Sequence, residues 1–212
     1  LSQVSKLDNI ASWSLEAGAT CPASHDANGE LVEACKGCYA KQGNYRFSNV
    51  KKPRLFNRLD WVRDDWVDDM VKTLDSSRYF RWFDSGDMYA LKLAEKIYQV
   101  MERTPWVKHW MPTRMQKFAK FHDVIARMEA LPNVKVRFSS DSVSGEFISG
   151  VHGSVIVPTD DNLPTGVSLC EAYKNEGKCS GCRKCWDKSI PVIAYVAHGR
   201  AMQKVISLKV VN

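Results

Sequence analysis

At 212 residues, with 44% hydrophobic and 25% charged residues and a formal net charge of +6, the chain has the make-up of a soluble globular protein with a real core. No apolar run approaches the roughly 18 residues a membrane helix needs, and the opening residues carry no apolar signal region. The mild positive balance permits nucleic-acid contact without demanding it, and the densest basic patch, Lys51-Lys52-Pro53-Arg54, reads as a solvated loop.

Residues 1–58 read as irregular, with turn signals at Ala17-Gly18, Asp26-Ala27-Asn28-Gly29 and Gln42-Gly43-Asn44, and one short strand at Ser12-Trp13-Ser14-Leu15. So long an irregular opening needs an organiser. The cysteines supply one. Seven of them stand at 21, 35 and 38 and at 170, 179, 182 and 185, with none between. An odd count fits a disulfide framework poorly and fits two metal-ligand groups in a reducing cytosol well. Cys35-Lys36-Gly37-Cys38 puts two thiols on one side of a tight turn. Gly37 falls where such a turn needs a positive φ or close backbone approach to the centre, and Tyr39-Ala40 starts a helix leaving it. With Cys21 the set offers three thiolates, which suits a [4Fe-4S] cluster with one open iron. His25 supplies the rival reading, a tetrahedral zinc site of three thiolates and one imidazole.

From Leu59 the pattern changes. Leu59, Val62, Trp66, Val67, Met70, Val71 and Leu74 recur at helical spacing. Strand Tyr79-Phe80-Arg81-Trp82-Phe83 follows and ends in the turn Asp84-Ser85-Gly86-Asp87. A second helix carries Leu91, Ala94, Ile97, Tyr98 and Met101 on one face until Pro105 breaks it. Trp106–Met111 is the next strand, and Thr113-Arg114-Met115-Gln116 is a capping box opening a third helix lined by Met115, Phe118, Ile125 and Met128. Strand Val134–Phe138 ends at Ser139-Ser140-Asp141. His109, His122 and His198 read as packing or surface residues. Asp87, Asp141 and Arg114 fall where parallel strands end, which is where α/β folds gather ligand sites, though helix capping explains the two acids equally well.

After Asp141 the alternation fades, leaving strand candidates at Gly153–Val157, Pro191–Val196 and Val205–Val210. Between them lies Cys170-x8-Cys179-x2-Cys182-x2-Cys185, a ferredoxin-like spacing for a cluster, with Cys170 as the fourth ligand. Lys174, Lys178, Arg183, Lys184 and Lys188 stand ready to offset its negative charge. Zinc favours the same four ligands and is the alternative. A crossed pairing, with Cys21 or Cys170 serving the opposite group, stays open. The fold expected is one α/β domain over 1–212, an open or partial (β/α) barrel of about six strands. It divides into a cluster-binding loop region (1–58), an α/β core (59–160) and a cysteine-rich segment with closing strands (161–212).

Cys21…Cys35-x-x-Cys38 ahead of this helix–strand series, with Ser85-Gly86-Asp87 closing a strand, resembles the radical S-adenosylmethionine (SAM) core. The resemblance implies a partial (β/α)6 barrel, SAM on the open iron, and Ser85, Gly86 and Asp87 gripping its amino group. The spacing departs from that superfamily's Cys-x3-Cys-x2-Cys, and Gly37 replaces its usual aromatic residue. Ser12-Trp13-Ser14-Leu15, Thr20-Cys21-Pro22, Cys35-x-x-Cys38-Tyr39-Ala40, the Ser85-Gly86-Asp87 turn, Thr113-Arg114 and the closing cysteines are similar to the bacteriophage "gene product eighty-eight" family. That likeness implies a phage protein in the bacterial host cytoplasm and leaves its reaction open.

Two functions compete. One is a radical-SAM-like redox enzyme with a small-molecule ligand at the open iron and a separate redox partner, or a simple electron-transfer protein. The other is a zinc- or cluster-stapled module that binds nucleic acid or a host protein, with no membrane partner.

Overall fold

A computed structural model describes residues 1–161 and 163–210. The chain opens as a hairpin, β1 (Ser2–Val4) antiparallel to β2 (Ile10–Trp13), then passes through a short helix α1 (Glu33–Lys36) into α2 (Ser48–Asp60) and α3 (Trp66–Thr73). There follow β3 (Tyr79–Trp82), α4 (Leu91–Arg103), β4 (Lys108–Thr113), α5 (His122–Ala130) and β5 (Val134–Phe138). Beyond them come β6 (Ser154–Val157), β7 (Val167–Cys170), β8 (Val192–Val196) and α6 (Arg200–Val210). Two sheets result. Five strands run in the order β1-β2-β3-β4-β5, parallel except for β1, and three parallel strands run β6-β8-β7. A single parallel bridge, Ser139 to Ser154, joins them. The eight strands thus form two sheets, and the barrel expected from the sequence is not among them.

Three consecutive crossovers put α3, α4 and α5 over one face of the larger sheet. Trp13, Trp66, Phe80, Trp82, Ile97, Met101 and Val136 fill that layer. Trp13 meets Trp66 edge-on at 5.4 Å and Trp82 at 6.1 Å. His109 is fully buried there. Its Nδ1 accepts from Trp82 Nε1 at 3.2 Å, which leaves Nε2–H to donate to Thr104 Oγ1 at 2.9 Å. The opposite face carries the alternate residues of the same strands, Tyr79, Arg81, Trp110 and Arg137. It is covered by the cysteine-rich segment through Trp186, whose Nε1 donates to the Phe80 carbonyl at 2.9 Å.

Several expected elements differ. The helical pattern from Leu59 to Leu74 spans two helices: α2 begins eleven residues before Leu59, and a turn at 61–65 separates it from α3. Lys51–Arg54 is helical rather than a loop even though Pro53 lies inside the helix, because Arg54 is tied inward to Ser85, Asp84 and the Val50 carbonyl. Thr113 ends β4, and its hydroxyl accepts from the Met115 N–H at 3.0 Å, but two 3-10 turns intervene before α5 starts at His122. Val205–Val210 is part of α6, not a strand; β-branched residues at 205, 206 and 210 are spaced for one helical face as well as for a strand. Strands β1 and β7 went unread because each is only three or four residues long.

Candidate functional site

The N-terminal cysteines sit above the carboxyl ends of β2 to β5. Past β2 the chain is laced to the turn after β3: the Leu15 N–H donates to the Ser85 carbonyl at 2.9 Å, and the Asp87 N–H to the Thr20 carbonyl at 3.0 Å. That lacing delivers Cys21. Helix α1 delivers Cys35, anchored by the Ala34 N–H on the Asp141 carbonyl at 2.9 Å just past β5, and the Cys38 N–H closes back on the Cys35 carbonyl at 3.3 Å. The three thiols lie within electrostatic reach of one another. Burial pushes Cys21 up to about 11, with Asp87, Cys35 and Cys38 adding to the shift. Burial also raises Cys35, against the pull of Arg114 and Lys117. These two cations converge on Asp141, Arg114 Nε at 3.1 Å and Lys117 Nζ at 2.5 Å.

Gly37 has φ −97°, so no left-handed turn is needed. Its close approach is to α6 instead: a Cβ there would lie 2.8 Å from Met202 Cα. His25 is exposed, with Nδ1 3.2 Å from the Ser24 hydroxyl.

Ser85, Gly86 and Asp87 are largely internal braces. The Ser85 hydroxyl donates to the Leu15 carbonyl at 2.7 Å and accepts from Arg54 Nε at 2.7 Å. Gly86 has φ +78°, and a Cβ would meet Leu15 Cβ at 2.5 Å and Thr20 Oγ1 at 2.6 Å, so only glycine fits. Asp87 is buried and accepts from the Thr113 hydroxyl at 2.7 Å and from the N–H groups of Met88 and Arg114 at 2.8 and 2.9 Å. Burial raises its pKa, with those donors opposing.

Beside the cysteines lies an ionic knot that sequence reasoning missed. Asp84 accepts from Arg81 at 2.9 Å, from Arg54 at 3.2 Å and from the Tyr45 hydroxyl, while the Tyr39 hydroxyl donates to its backbone carbonyl at 2.9 Å. Phe83, just before it, is buried in the left-handed region at φ +56°, a strained conformation for a bulky residue. Arg81 is three positions from Asp84, but Arg54, Tyr45 and Tyr39 arrive from 30, 39 and 45 positions away, so no local signal marks the knot as a whole. A cavity of about 400 Å³ is walled by Gly37 and Tyr39, the residues either side of Cys38, and by Asn44, Tyr45, His198 and Arg200; no cysteine is among its lining residues.

The C-terminal cysteines form the second group. Cys170, Cys179, Cys182 and Cys185 all line one cavity of about 70 Å³. Cys170 acts electrostatically on Cys179 and Cys185, which places it with this group and Cys21 with the other. Burial pushes Cys185 up to about 11, eased by the Tyr195 hydroxyl 3.4 Å from its sulfur. The N-terminal hairpin holds the loop: the Cys179 N–H donates to the Lys6 carbonyl at 2.8 Å, and Asp8 accepts from Gly181 N–H and Arg183. From the other side Arg137, fully buried with no carboxylate partner, donates to the carbonyls of Gly153, Lys184, Cys185, Asp187, Ile190 and Pro191 at 2.9–3.3 Å. Of the five cations expected to offset a cluster, only Lys184 lines the cavity. Lys174, Lys178 and Arg183 pair with Asp160, Glu176 and Asp8, and Lys188 donates to the carbonyls of Glu129 and Leu131.

All seven cysteines are free thiols. Among the described residues no three His, Cys, Asp or Glu side chains converge tightly enough to hold a single metal ion. One zinc ion would draw sulfurs to about 3.8 Å of each other at Zn–S of about 2.3 Å, whereas a cluster spreads thiolates over separate irons. Two buried donors, Arg81 Nε and Trp110 Nε1, have no hydrogen-bond partner on the sheet face that the second group covers. Such orphans call for an acceptor, and cluster sulfur is one.

Among the described residues no helix is long and apolar enough to cross a membrane. No curated protein and no solved structure matches the chain, and the radical-SAM resemblance finds no support in these comparisons. The family model described as Gene product 88 matches residues 1–203, and the chain belongs to that family.

Proposed function

We propose that the chain is an iron–sulfur protein of phage origin working in the host cytoplasm. Cys21, Cys35 and Cys38 hold a [4Fe-4S] cluster with one iron free of cysteine, and Cys170, Cys179, Cys182 and Cys185 hold a second, fully ligated centre. The observation that carries this is the three-and-four grouping of free thiols, with the three-thiol set at the carboxyl ends of parallel strands. When bound, such a cluster supplies one-electron chemistry and an iron that accepts a chelating ligand. Arg114 and Lys117 offset the negative charge of three thiolates, and Asp141 holds both cations in place. The cavity walled by Gly37 and Tyr39, on either side of Cys38, gives a small ligand room close to this set.

SAM is the first ligand to try, on a radical-SAM-like reading of the scaffold. Asp87 already accepts three hydrogen bonds, so Asn44, His198 and Arg200 around the cavity are better placed than Ser85-Gly86-Asp87 to contact it. A nucleic-acid-binding module is less well supported, because Arg54 of the basic patch is buried on Ser85 and Asp84.

The test is iron and acid-labile sulfide analysis of anaerobically purified protein, followed by electron paramagnetic resonance with and without SAM. Iron with sulfide and a SAM-dependent spectral change support the full reading. A cluster spectrum indifferent to SAM leaves an electron-transfer protein. Stoichiometric zinc without sulfide sinks the proposal.

A further inference from the structure

Helix α2 is packed inside out. Its inward face is polar: Arg54 and Asn57 are buried, bonded to Ser85 Oγ at 2.7 Å and to the Ser14 carbonyl at 2.9 Å. Its outward stripe is apolar, with Phe56 63%, Leu59 75% and Leu55 38% exposed, extended past the helix end by Val62 at 54%. Positions 52, 55, 56 and 59 share one helical face, so these side chains form a continuous strip rather than scattered surface residues. Amphipathic helices in globular proteins bury their apolar side. Among the described residues nothing covers that side.

The charges flanking the strip indicate what covers it. Arg46, Lys51 and Lys52 stand at its start, with Glu16 3.6 Å from Lys51 the acid there. Asp60, Asp64, Asp65 and Asp69 stand around its end; of the cations there, Arg63 is engaged by Asp60, Asp65 and Asp69, Lys96 is turned onto the Trp61 and Arg63 carbonyls, and Arg58 stands in the last turn. The cations at the start and Asp60 at the end oppose the dipole of α2, whereas Asp65 and Asp69 also suit the start of α3. A uniformly acidic protein, a nucleic acid or an anionic membrane would meet the acidic end in repulsion. A second α2 running antiparallel would not. It sets cations against acids at both ends and buries Phe56, Leu55 and Leu59 between, the self-complementary arrangement a two-fold axis requires.

We propose that this face is a homodimer interface built on antiparallel α2 helices. A stable interface covers about 800 Å² on each partner, so the residues flanking the strip at 46–52 and 62–65 form its rim. Because the inward face of α2 holds Ser85 and Asp84, dimerisation braces the helix that backs the N-terminal cysteine site.

Light scattering on the full chain after gel filtration tests this with or without metal. Wild type is expected at twice the 24.0 kDa chain mass, and the double variant Phe56→Ser, Leu59→Ser at the single mass with an unchanged far-ultraviolet spectrum. The decisive arm is charge reversal. Lys51→Asp with Lys52→Asp, and separately Asp64→Lys with Asp65→Lys, should each be monomeric, while an equimolar mixture returns to the doubled mass. A monomeric wild type across the micromolar range overturns the proposal, as does a mixture that stays monomeric. Monomeric protein that sediments with phosphatidylserine vesicles assigns the strip to a membrane surface instead.

Discussion

Replacing Arg137 by Met should loosen the cysteine-rich segment before anything else. The guanidinium satisfies six backbone carbonyls: five, in 184–191, are in partly buried contacts to which water has partial access, and the sixth, at Gly153, is in a fully buried one. Carbonyls that regain water lose little each, about 0.5–1 kcal/mol, whereas a buried orphan costs about 1–3 kcal/mol. Removing a buried cation returns part of this by ending its desolvation. The net loss is then about 3 kcal/mol, which lowers the melting temperature by roughly 6–12 °C for a chain of this size. Arg137→Lys should fall between, since an ammonium has three donors in place of five. Circular-dichroism melts give the stability, and the rate at which Cys185 reacts with a thiol reagent at low temperature reports the loop. A Met variant melting within about 2 °C of wild type, with Cys185 still protected, would refute the view of Arg137 as a clamp.

Gly86→Ala should yield little folded protein, because the new Cβ meets Leu15 and Thr20 at 2.5–2.6 Å in a left-handed backbone; soluble yield and melting temperature report it. Cys179→Ala should strip metal from the C-terminal group and leave the protein insoluble or metal-depleted, while Cys35→Ala stays folded and loses only the N-terminal centre, as separate iron counts would show. His109 is held neutral by burial, its pKa lowered to about 3, so an unfolded chain binds a proton the folded one refuses. Above pH 6.5 it has no effect; below that, stability drops by roughly 1 kcal/mol per pH unit until about pH 3. His109→Gln should flatten that part of the denaturation profile. Asp87→Ala should cost roughly 2–4 kcal/mol by orphaning Thr113 and two N–H groups, so a loss of ligand binding in that variant means nothing unless its melt is unchanged.

The α/β core was legible because its signals are local. Leu91, Ala94, Ile97 and Met101 repeat at helical spacing, and Val134–Phe138 is a β-branched run bounded by Pro132-Asn133 and Ser139. Spacing kept Cys35 with Cys38 and Cys179 with Cys182 and Cys185, while the side taken by Cys21 and by Cys170 was open in the sequence; the position of Asp87, Arg114 and Asp141 at strand ends was legible. What escaped was decided at long range. Arg54 reads as part of a solvated basic run, yet it is buried because Asp84 and Ser85 arrive thirty residues later. Arg137 alternates with Val136 as though facing water, and the residues that cover it belong to a segment some fifty positions on. Val205-Ile206 satisfied strand and helix patterns equally, and packing of α6 against Gly37 favoured the helix.

The bonds from Asp8 to Gly181 and Arg183 span 173 and 175 positions. The Asp8 turn of the first hairpin therefore waits for these partners until residues 181–183 have been made, long after β2 can pair with β3, and the second cysteine group gains its full enclosure only then. Assembly of that centre is a late event in the life of the molecule, and the wait leaves its thiols open to oxidants in the meantime. Producing the protein under air should cost the four-cysteine site more than the three-cysteine site, and a bulky fusion placed on the opening strand should do the same by obstructing closure.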